Sequence, residues 1–314
     1  MRPQRASLVT PATASQGPDM DHRQLSFLVA LASERHFGRA ARVCHVTQPT
    51  LSARLKQLEE ELGTALILRG HRFEGFTPEG ERVLTHARRI LAELDELKGD
   101  LSPDAVLTGR LSLGVVPSAL AAVGEFLPRL REAFPQLSLR LRELSTSSLA
   151  QGLEDGELDL AVGYPAAPAM SGFACRPLYQ EHSALIASEA HFSLPDAPQW
   201  ECLRDYPLVL LTPEMQQRRR LNQQFELLGL QPSPLLEANS ISGLGVMLEA
   251  GLGVSVLAEN LADSRLGEGL VARRLPGEGE TVGLLWRSGQ QRSRRLNAVL
   301  ELLRSLPHSA GVAD

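Results

Sequence analysis

The chain has 314 residues, of which 43% are apolar and 22% charged, and its formal net charge is -5 at pH 7. This length suffices for two or three domains with buried cores, and no apolar run is long enough to span a bilayer. The first 19 residues are rich in Ser, Thr, Pro, Ala and Gln and lack the apolar core of a secretory signal. We therefore expect a cytoplasmic protein with a disordered extension over 1–20, in which Met20 is an alternative start.

Three consecutive helices are predicted after this extension. The first is amphipathic and carries Leu25, Phe27, Leu28, Leu31 and Ala32. The second and third each have one apolar face at the spacing i, i+3 or i+4, i+7, formed by Phe37, Ala40, Ala41 and Cys44 and by Leu51, Leu55, Leu58 and Leu62. Thr47 is the expected N-cap of the third helix, where Pro49 fits the first turn because its missing N–H costs little there.

The start of the third helix suits a DNA groove. Glutamine pairs with adenine and arginine with guanine, while threonine and serine reach phosphates or base edges. No acidic residue occurs between Arg39 and Lys56, so this face is locally cationic. The predicted DNA-contacting residues here are Arg39, Thr47, Gln48, Pro49, Thr50, Ser52, Arg54 and Lys56. The alternative is an ordinary solvated helix pair within an enzyme.

A hairpin and a long helix are predicted next. Residues 65–69 form a strand, 70–75 a hairpin tip and 76–77 the return strand, so that Arg69 and Arg72 reach the DNA backbone or minor groove. Thr77 then caps a helix over 79–101 with an apolar stripe of Val83, Leu84, Ala87, Ile90, Leu91, Leu94 and Leu97. The stripe packs on its own domain or on a second subunit, because twofold operators are read by dimers.

These residues together resemble the DNA-binding domain and linker helix of LysR-type transcriptional regulators. The matching stretches are Phe37 with 40–41, VTQPTLS at 46–52, LEEELG at 58–63 and TPEG at 77–80. Where that family has an arginine directly after the serine, this chain has Ala53 followed by Arg54. The resemblance implies a winged helix-turn-helix over 21–78 that binds double-stranded promoter DNA. It also implies dimers through the linker helix, tetramers built from them, and contact with RNA polymerase.

The second half alternates strands and helices after a hinge at 102–109. Strands are predicted at 110–116, 137–144, 158–163, 183–187, 208–211, 253–257 and 281–286, and helices at 117–130, 147–152, 243–250 and 294–306. Strand–helix–strand order favours a parallel sheet with right-handed crossovers. The fold class is thus α/β overall, with an all-α winged helix-turn-helix and a linker helix in front.

The same half is similar to the effector domain of that family over ELDLA at 157–161 and LEAGLGV at 248–254. This resemblance implies two Rossmann-like lobes of the periplasmic-binding-protein (type 2) kind within 110–306. Lobe one covers 110–180 and 288–306, and lobe two covers 181–280. The crossovers are expected near 178–188 and 281–287, and 307–314 form a flexible tail.

A ligand site is expected where strands end and helices begin. Ligands of such sheets bind beyond the carboxyl ends of strands, where unpaired N–H groups at helix starts favour small anions. Hydroxyl side chains at these turns are Ser118, Thr146, Ser147, Thr212, Ser240 and Ser242. By resemblance, Ser118, Thr146 and Thr212 line the effector cleft, whereas each hydroxyl taken alone also suits simple helix capping. We expect a small anionic effector.

Other functions are weighed against this one. An enzyme needs a nucleophile with a base, a metal cluster or a phosphate loop, and the sequence has no GxxxxGK[ST] motif and no complete GxGxxG motif. Cys44, Cys175 and Cys202 are scattered without metal-ligand spacing, so we expect no metal and no cofactor. A solute-binding protein, or a redox sensor of the same fold without anion induction, is the alternative.

Overall fold

The computed structural model describes residues 20–69, 73–100, 107–262, 266–288 and 293–304. The chain divides into two compact units, one ending at Ala92 and the other beginning at Glu93. The predicted extension apart from Met20, most of the predicted hinge and the predicted tail lie outside the described residues. No helix of the described part is both long enough and apolar enough to cross a membrane.

The first unit begins with three helices, α1 (His22–Glu34), α2 (Phe37–Val43) and α3 (Gln48–Leu62). A two-stranded hairpin of β1 (Ile67–Arg69) and β2 (Phe73–Phe76) follows, and then the long helix α4 (Pro78–Asp100) begins. The predicted apolar faces meet in one core, whose fully buried members include Leu28, Leu31, Leu51, Leu55, Leu58, Leu66 and Ala87. The predicted three-helix arrangement with a wing is therefore what this unit forms.

The hairpin tip is shorter than the 70–75 that the sequence predicts. β2 already begins at Phe73, because the Phe73 ring packs edge to face against Phe37 at 6.1 Å and against Phe76 at 5.1 Å. This contact draws the residue into the strand opposite Arg69, with a register shift between Leu68 and Arg69. The alternation of apolar and polar residues along a strand does not reveal such a contact with a distant helix.

The apolar stripe of α4 is divided between two environments. Leu84 and Ala87 are buried in the core of the first unit, and Val83 and Leu91 pack against it. Ile90 and Leu97 are 41% and 56% exposed. The stripe thus extends beyond the core of the first unit and leaves apolar surface on the distal half of the helix.

The larger sheet of the second unit consists of β3 (Gly109–Val115), β4 (Leu137–Glu143), β5 (Leu160–Gly163), β6 (Phe173–Glu181) and β12 (Glu280–Arg287). The strand order in this sheet is β4-β3-β5-β12-β6. β3 runs parallel to β4 and β5, as predicted, whereas β12 is antiparallel to β5 and β6. The helices α5 (Leu120–Ala133), α6 (Thr146–Glu154) and α9 (Arg294–Arg304) belong to this lobe.

The second lobe contains two smaller sheets. β7 (Ser183–Ser188) lies between β10 (Ser255–Ala258) and β11 (Leu270–Arg274), and β8 (Leu208–Leu211) runs parallel to β9 (Pro234–Ala238). A parallel bridge between Leu208 and Val254 joins the two sheets. The helices of this lobe are α7 (Gln216–Leu227) and α8 (Ile241–Glu249).

Several elements of this unit are absent from the sequence prediction. β12, which covers the predicted second crossover near 281–287, pairs along its whole length with β6. α7, β9, β11 and most of β6 were not predicted. In α7 only Arg218 and Phe225 are buried, and Leu221 packs against the same cluster as Phe225, so its apolar face is narrow within a polar sequence.

Candidate nucleic-acid interface and effector site

The start of α3 separates an apolar face from a polar one. Leu51, Leu55 and Leu58 are completely buried and dock the helix on the core. The predicted DNA-contacting side chains at Thr47, Gln48, Pro49, Thr50, Arg54 and Lys56 are exposed, and that of Ser52 is half-buried. Groups that face solvent from a helix anchored on its opposite side are free to enter a groove.

The N-terminus of α3 is ordered by its own cap. The Thr47 hydroxyl accepts a hydrogen bond from the Thr50 amide at 3.4 Å and lies 2.8 Å from the Thr50 hydroxyl. Pro49 occupies the first turn, as predicted. Before this helix His45 has a φ of 54°, a left-handed conformation that makes the tight turn between α2 and α3. The turn fixes the angle at which the polar end of α3 leaves the core.

The cations of this surface are held by weak contacts. Arg54 donates to Gln57 at 3.1 Å, Lys56 lies 3.4 Å from the Glu60 carboxylate, and Arg39 lies 3.2 Å from Glu34. Exposed pairs of this kind contribute roughly 0–1 kcal/mol, so a phosphate can replace the partner at small cost. Arg69 pairs through its backbone with Phe73, and Arg72 lies outside the described residues.

The predicted effector residues of the first lobe follow neighbouring parallel strands. Ser118 follows β3 and Thr146 follows β4, so both lie at one edge of the sheet. Ser118 is buried and its hydroxyl lies 2.7 Å from that of Tyr164. The cap of α6 is Ser145, which was not predicted, and it accepts from the Ser148 amide at 3.2 Å. Ser147 is exposed, 3.1 Å from the Ser145 hydroxyl.

Thr146 is consequently not needed as a cap. Its hydroxyl oxygen is enclosed and has no hydrogen-bond partner among the described residues. Leaving such a group unsatisfied costs on the order of 1–3 kcal/mol, which makes it a natural contact for a ligand or a water molecule. The capping alternative for Thr146 is therefore wrong.

The second lobe has an equivalent pair of parallel strands. Thr212 follows β8 and Ser240 follows β9, so these residues also share one edge. The Ser240 hydroxyl accepts from the Gly243 amide at 3.0 Å and is a helix cap, while Ser242 is exposed. The backbone N–H of Glu214 and the hydroxyl of Thr212 lower the pKa of the exposed Glu214 carboxyl.

One contact between the lobes reaches the predicted effector turn directly. Asn260, which follows β10 in the second lobe, donates its side-chain amide to the Ser118 carbonyl at 3.3 Å and to the Tyr179 hydroxyl at 3.4 Å. Ser118 thus lies where the two lobes meet. Neither Asn260 nor Tyr179 was predicted, since neither belongs to a helix cap or a recognisable motif.

A buried chain of polar groups continues from Ser118. The Tyr164 hydroxyl, next to Ser118, donates to Glu181 Oε1 at 2.6 Å, and the Arg220 guanidinium lies 4.2 Å from the centre of the Tyr164 ring. Burial raises the pKa of the Glu181 carboxyl and raises that of the Tyr164 hydroxyl well above its ordinary value. Arg220 also pairs with Glu280. Sequence reasoning missed this network because its members come from separate elements.

A cavity of about 420 Å³ adjoins this network. Its wall includes Tyr164, Glu181, Arg220 and Glu280 and apolar side chains of the second lobe, and none of the six predicted effector hydroxyls belongs to it. The structure therefore separates the predicted hydroxyl turns from this cavity, although the Ser118–Tyr164–Glu181 contacts connect them. No group of three or more His, Cys, Asp or Glu suited to a metal occurs in the described part of the chain.

The chain matches two family models and many known proteins. The model described as bacterial regulatory helix-turn-helix protein, lysR family, matches residues 22–81, and that described as LysR substrate binding domain matches residues 104–307. The DNA-binding transcriptional dual regulator OxyR of Escherichia coli (strain K12) is 32% identical over 297 residues, which are 91% of this chain and 95% of that protein.

Two solved structures of LysR-type proteins are also similar to this chain. A full-length OxyR variant from Pseudomonas aeruginosa has a TM-score of 0.72 at 28% identity and covers 92% of this chain and 99% of its own. CbnR complexed with its target DNA shares the fold, with a TM-score of 0.64 at 21% identity over 91% of this chain and 100% of its own. The chain therefore belongs to the LysR family of transcriptional regulators, with a DNA-binding helix-turn-helix and an effector-binding domain.

Proposed function

We propose that the exposed start of α3 reads a promoter operator, with Gln48 and Arg54 in the major groove. The observation that carries this proposal is the division of α3 into a buried leucine face and an exposed polar N-terminal end. Gln48 suits adenine and Arg54 suits guanine or phosphate. Thr47, Thr50, Ser52, Lys56 and the wing residue Arg69 then position the helix on the sugar-phosphate backbone.

The regulator acts as a dimer of paired α4 helices, and two dimers associate through their effector domains. The exposed Ile90 and Leu97 on the distal half of α4 support helix pairing, because exposed apolar stripes mark interaction sites. Pairing places two recognition helices in successive major grooves of an inverted repeat. The spacing of the dimers then sets DNA bending and the access of RNA polymerase to the promoter.

A footprint on the DNA upstream of its own gene tests operator binding. Protection of an extended twofold site is expected, with an affinity that falls steeply with salt concentration. Gln48→Ala should relax sequence preference, and Arg54→Ala should weaken binding about 10-fold or more if it contacts a base. Arg140→Ala, an exposed arginine of the second unit, is the matched control and should bind normally. Normal binding by both α3 variants would refute the assignment.

The effector we propose is a small anion bound between the hydroxyl turns of the two lobes. The partnerless Thr146 hydroxyl at the start of α6 supports this site, as does the arrangement of Thr212 and Ser240 at strand ends of the second lobe. Helix N-termini present N–H groups with partial positive charge to such an anion. Binding would favour one lobe angle over another through differential affinity for the two states.

Thr146→Val tests this site because valine keeps the shape and removes the hydroxyl. Carboxylates and inorganic anions are screened for a change in the footprint of the wild-type protein, and the active anion is then titrated against the variant. The response should be lost while operator binding without effector is kept. Ser138→Ala, an exposed serine at the opposite end of β4, is the control. A wild-type response of Thr146→Val would show that the anion binds elsewhere.

The names of several relatives favour a second candidate function, a response to hydrogen peroxide. Peroxide sensing requires an accessible thiolate of low pKa. Burial raises the pKa of the Cys44 and Cys202 thiols, which opposes this role, and Cys175 is exposed on β6. We expect peroxide to leave the footprint unchanged. A change that Cys175→Ser abolishes would instead establish redox sensing.

A further inference from the structure

The cavity beside Glu181 has the features of a second ligand site. It lies in the effector domain between α7 and the two segments that cross from one lobe to the other, and its volume is about 420 Å³. This volume lies within the range of about 300–1,000 Å³ that is typical of small-molecule sites. None of the hydroxyl residues of the proposed anion site lines it.

Two enclosed acceptor oxygens lie on side chains that line this cavity. Glu181 accepts from Tyr164 through Oε1, but its Oε2 has no hydrogen-bond partner among the described residues. Gln217 on α7 has an enclosed Oε1 in the same condition. Enclosing a carboxylate oxygen without a hydrogen-bond partner is unfavourable. A ligand that donates a hydrogen bond to this oxygen therefore gains binding free energy.

The charges around the cavity favour a cation. Three carboxylates line it, Glu181, Glu278 and Glu280, whereas the basic side chains of its wall are Arg220 and His182. Arg220 is already paired with Glu280 and stacked on the Tyr164 ring. Its charge is therefore compensated, and Glu181 remains the enclosed carboxylate available to a ligand.

Part of the wall is apolar, beside polar side chains that include His182, Gln223 and Gln224. Trp200, Leu221, Val256 and Leu275 line the cavity, and the Trp200 indole N–H is already satisfied by the Pro276 carbonyl at 2.8 Å. These side chains offer a surface for the hydrocarbon part of a ligand. An enclosed carboxylate beside these apolar side chains is the complement of an amine with a small hydrocarbon body.

We propose that this cavity binds a small organic ammonium ion, which donates to Glu181 Oε2 and rests its hydrocarbon part on Leu221 and Leu275. This site is separate from the proposed anion site and does not depend on it. A chain of hydrogen bonds from Glu181 through Tyr164 to Ser118 connects the amine site with the turn at which the lobes meet. Binding of an amine to Glu181 can therefore affect that turn. Because burial raises the pKa of Glu181, amine affinity should increase with pH as this carboxyl ionises.

A fluorescence titration of the full-length protein tests the proposal. The chain has two tryptophans, and Trp200 lines the cavity while Trp286 is buried in the first lobe. Trp286→Phe therefore makes Trp200 the single reporter. Alkylammonium ions of increasing length and phenethylammonium are the probes, and hydrocinnamate and phenethyl alcohol are the anionic and neutral counterparts. Calorimetry on the wild-type protein provides the same comparison without a substitution.

Saturable binding of at least one ammonium probe, with no binding of its counterparts, is expected. Glu181→Gln should weaken binding at least about 10-fold, because it removes the charge of the acceptor. Glu278→Gln removes an exposed carboxylate of the same cavity and should weaken it less than about 3-fold. A response that stays linear to about 20 mM for every ammonium probe, or equal losses in both variants, would overturn the proposal.

Discussion

Gly80→Ala should destabilise the junction between α4 and the wing, which is the hairpin of β1 and β2, although alanine has a higher helix propensity than glycine. Gly80 lies in the first turn of α4. A Cβ at this position would overlap the Leu66 carbonyl oxygen and lie 2.9 Å from the Leu66 carbonyl carbon and 3.1 Å from Phe76 Cβ. The nearest of these atoms belong to the backbone and cannot rotate away, so α4 has to move from the wing.

The magnitudes decide the sign of this effect. Alanine is favoured over glycine in a helix by about 1 kcal/mol. Relieving the overlap costs roughly 1–3 kcal/mol, as other overpacked sites do. Movement of α4 also strains the hydrogen bond from the Thr77 amide to the Leu66 carbonyl, now 2.9 Å, which contributes about 1 kcal/mol. The net expectation is a loss of about 1–3 kcal/mol in local stability.

Amide hydrogen exchange of the full chain measures this loss where it occurs. Peptides covering β1 and the start of α4 should exchange roughly 5- to 150-fold faster in Gly80→Ala, since 1.4 kcal/mol corresponds to a factor of 10. Glu81→Ala, at an exposed position one residue later, is the control and should change exchange by less than 1 kcal/mol, or about 5-fold. Slower exchange in Gly80→Ala would show that propensity dominates and would refute the steric argument.

Three further predictions concern the buried Glu181, the cap of α6 and the apolar stripe of α4. Glu181→Gln should raise stability increasingly from pH 4.5 upward, because the unfolded carboxyl ionises there before the buried one does, and thermal unfolding at several pH values measures this. Ser145→Ala should lower the stability of α6 by about 0.5–2 kcal/mol through loss of its cap while the anion response of Thr146 persists, as exchange and footprinting together would report. Ile90→Asp should dissociate the dimer in sedimentation without unfolding the first unit; an unchanged mass would exclude the α4 interface.

Local patterns were sufficient for the helices of the DNA-binding half. The apolar spacing around Leu51, Leu55 and Leu58 predicted which side of α3 is buried, and the Thr47 cap and Pro49 predicted where that helix begins. Such features depend on neighbours three or four residues apart, which the sequence lists directly. The alternation of strands and helices likewise predicted the parallel core of β3, β4 and β5.

Only the tertiary structure decided what the hydroxyl and carboxyl groups do. Spacing could not distinguish Ser240, which caps a helix, from Thr146, whose hydroxyl oxygen is enclosed without a partner among the described residues. Tyr164 follows β5 and Glu181 ends β6, and what makes this pair notable is a contact of 2.6 Å and burial, neither of which the sequence shows. The sequence by itself determines local periodicity, which depends on neighbouring residues. The desolvation and pairing of polar groups depend instead on elements that are far apart in the sequence and meet only in the fold.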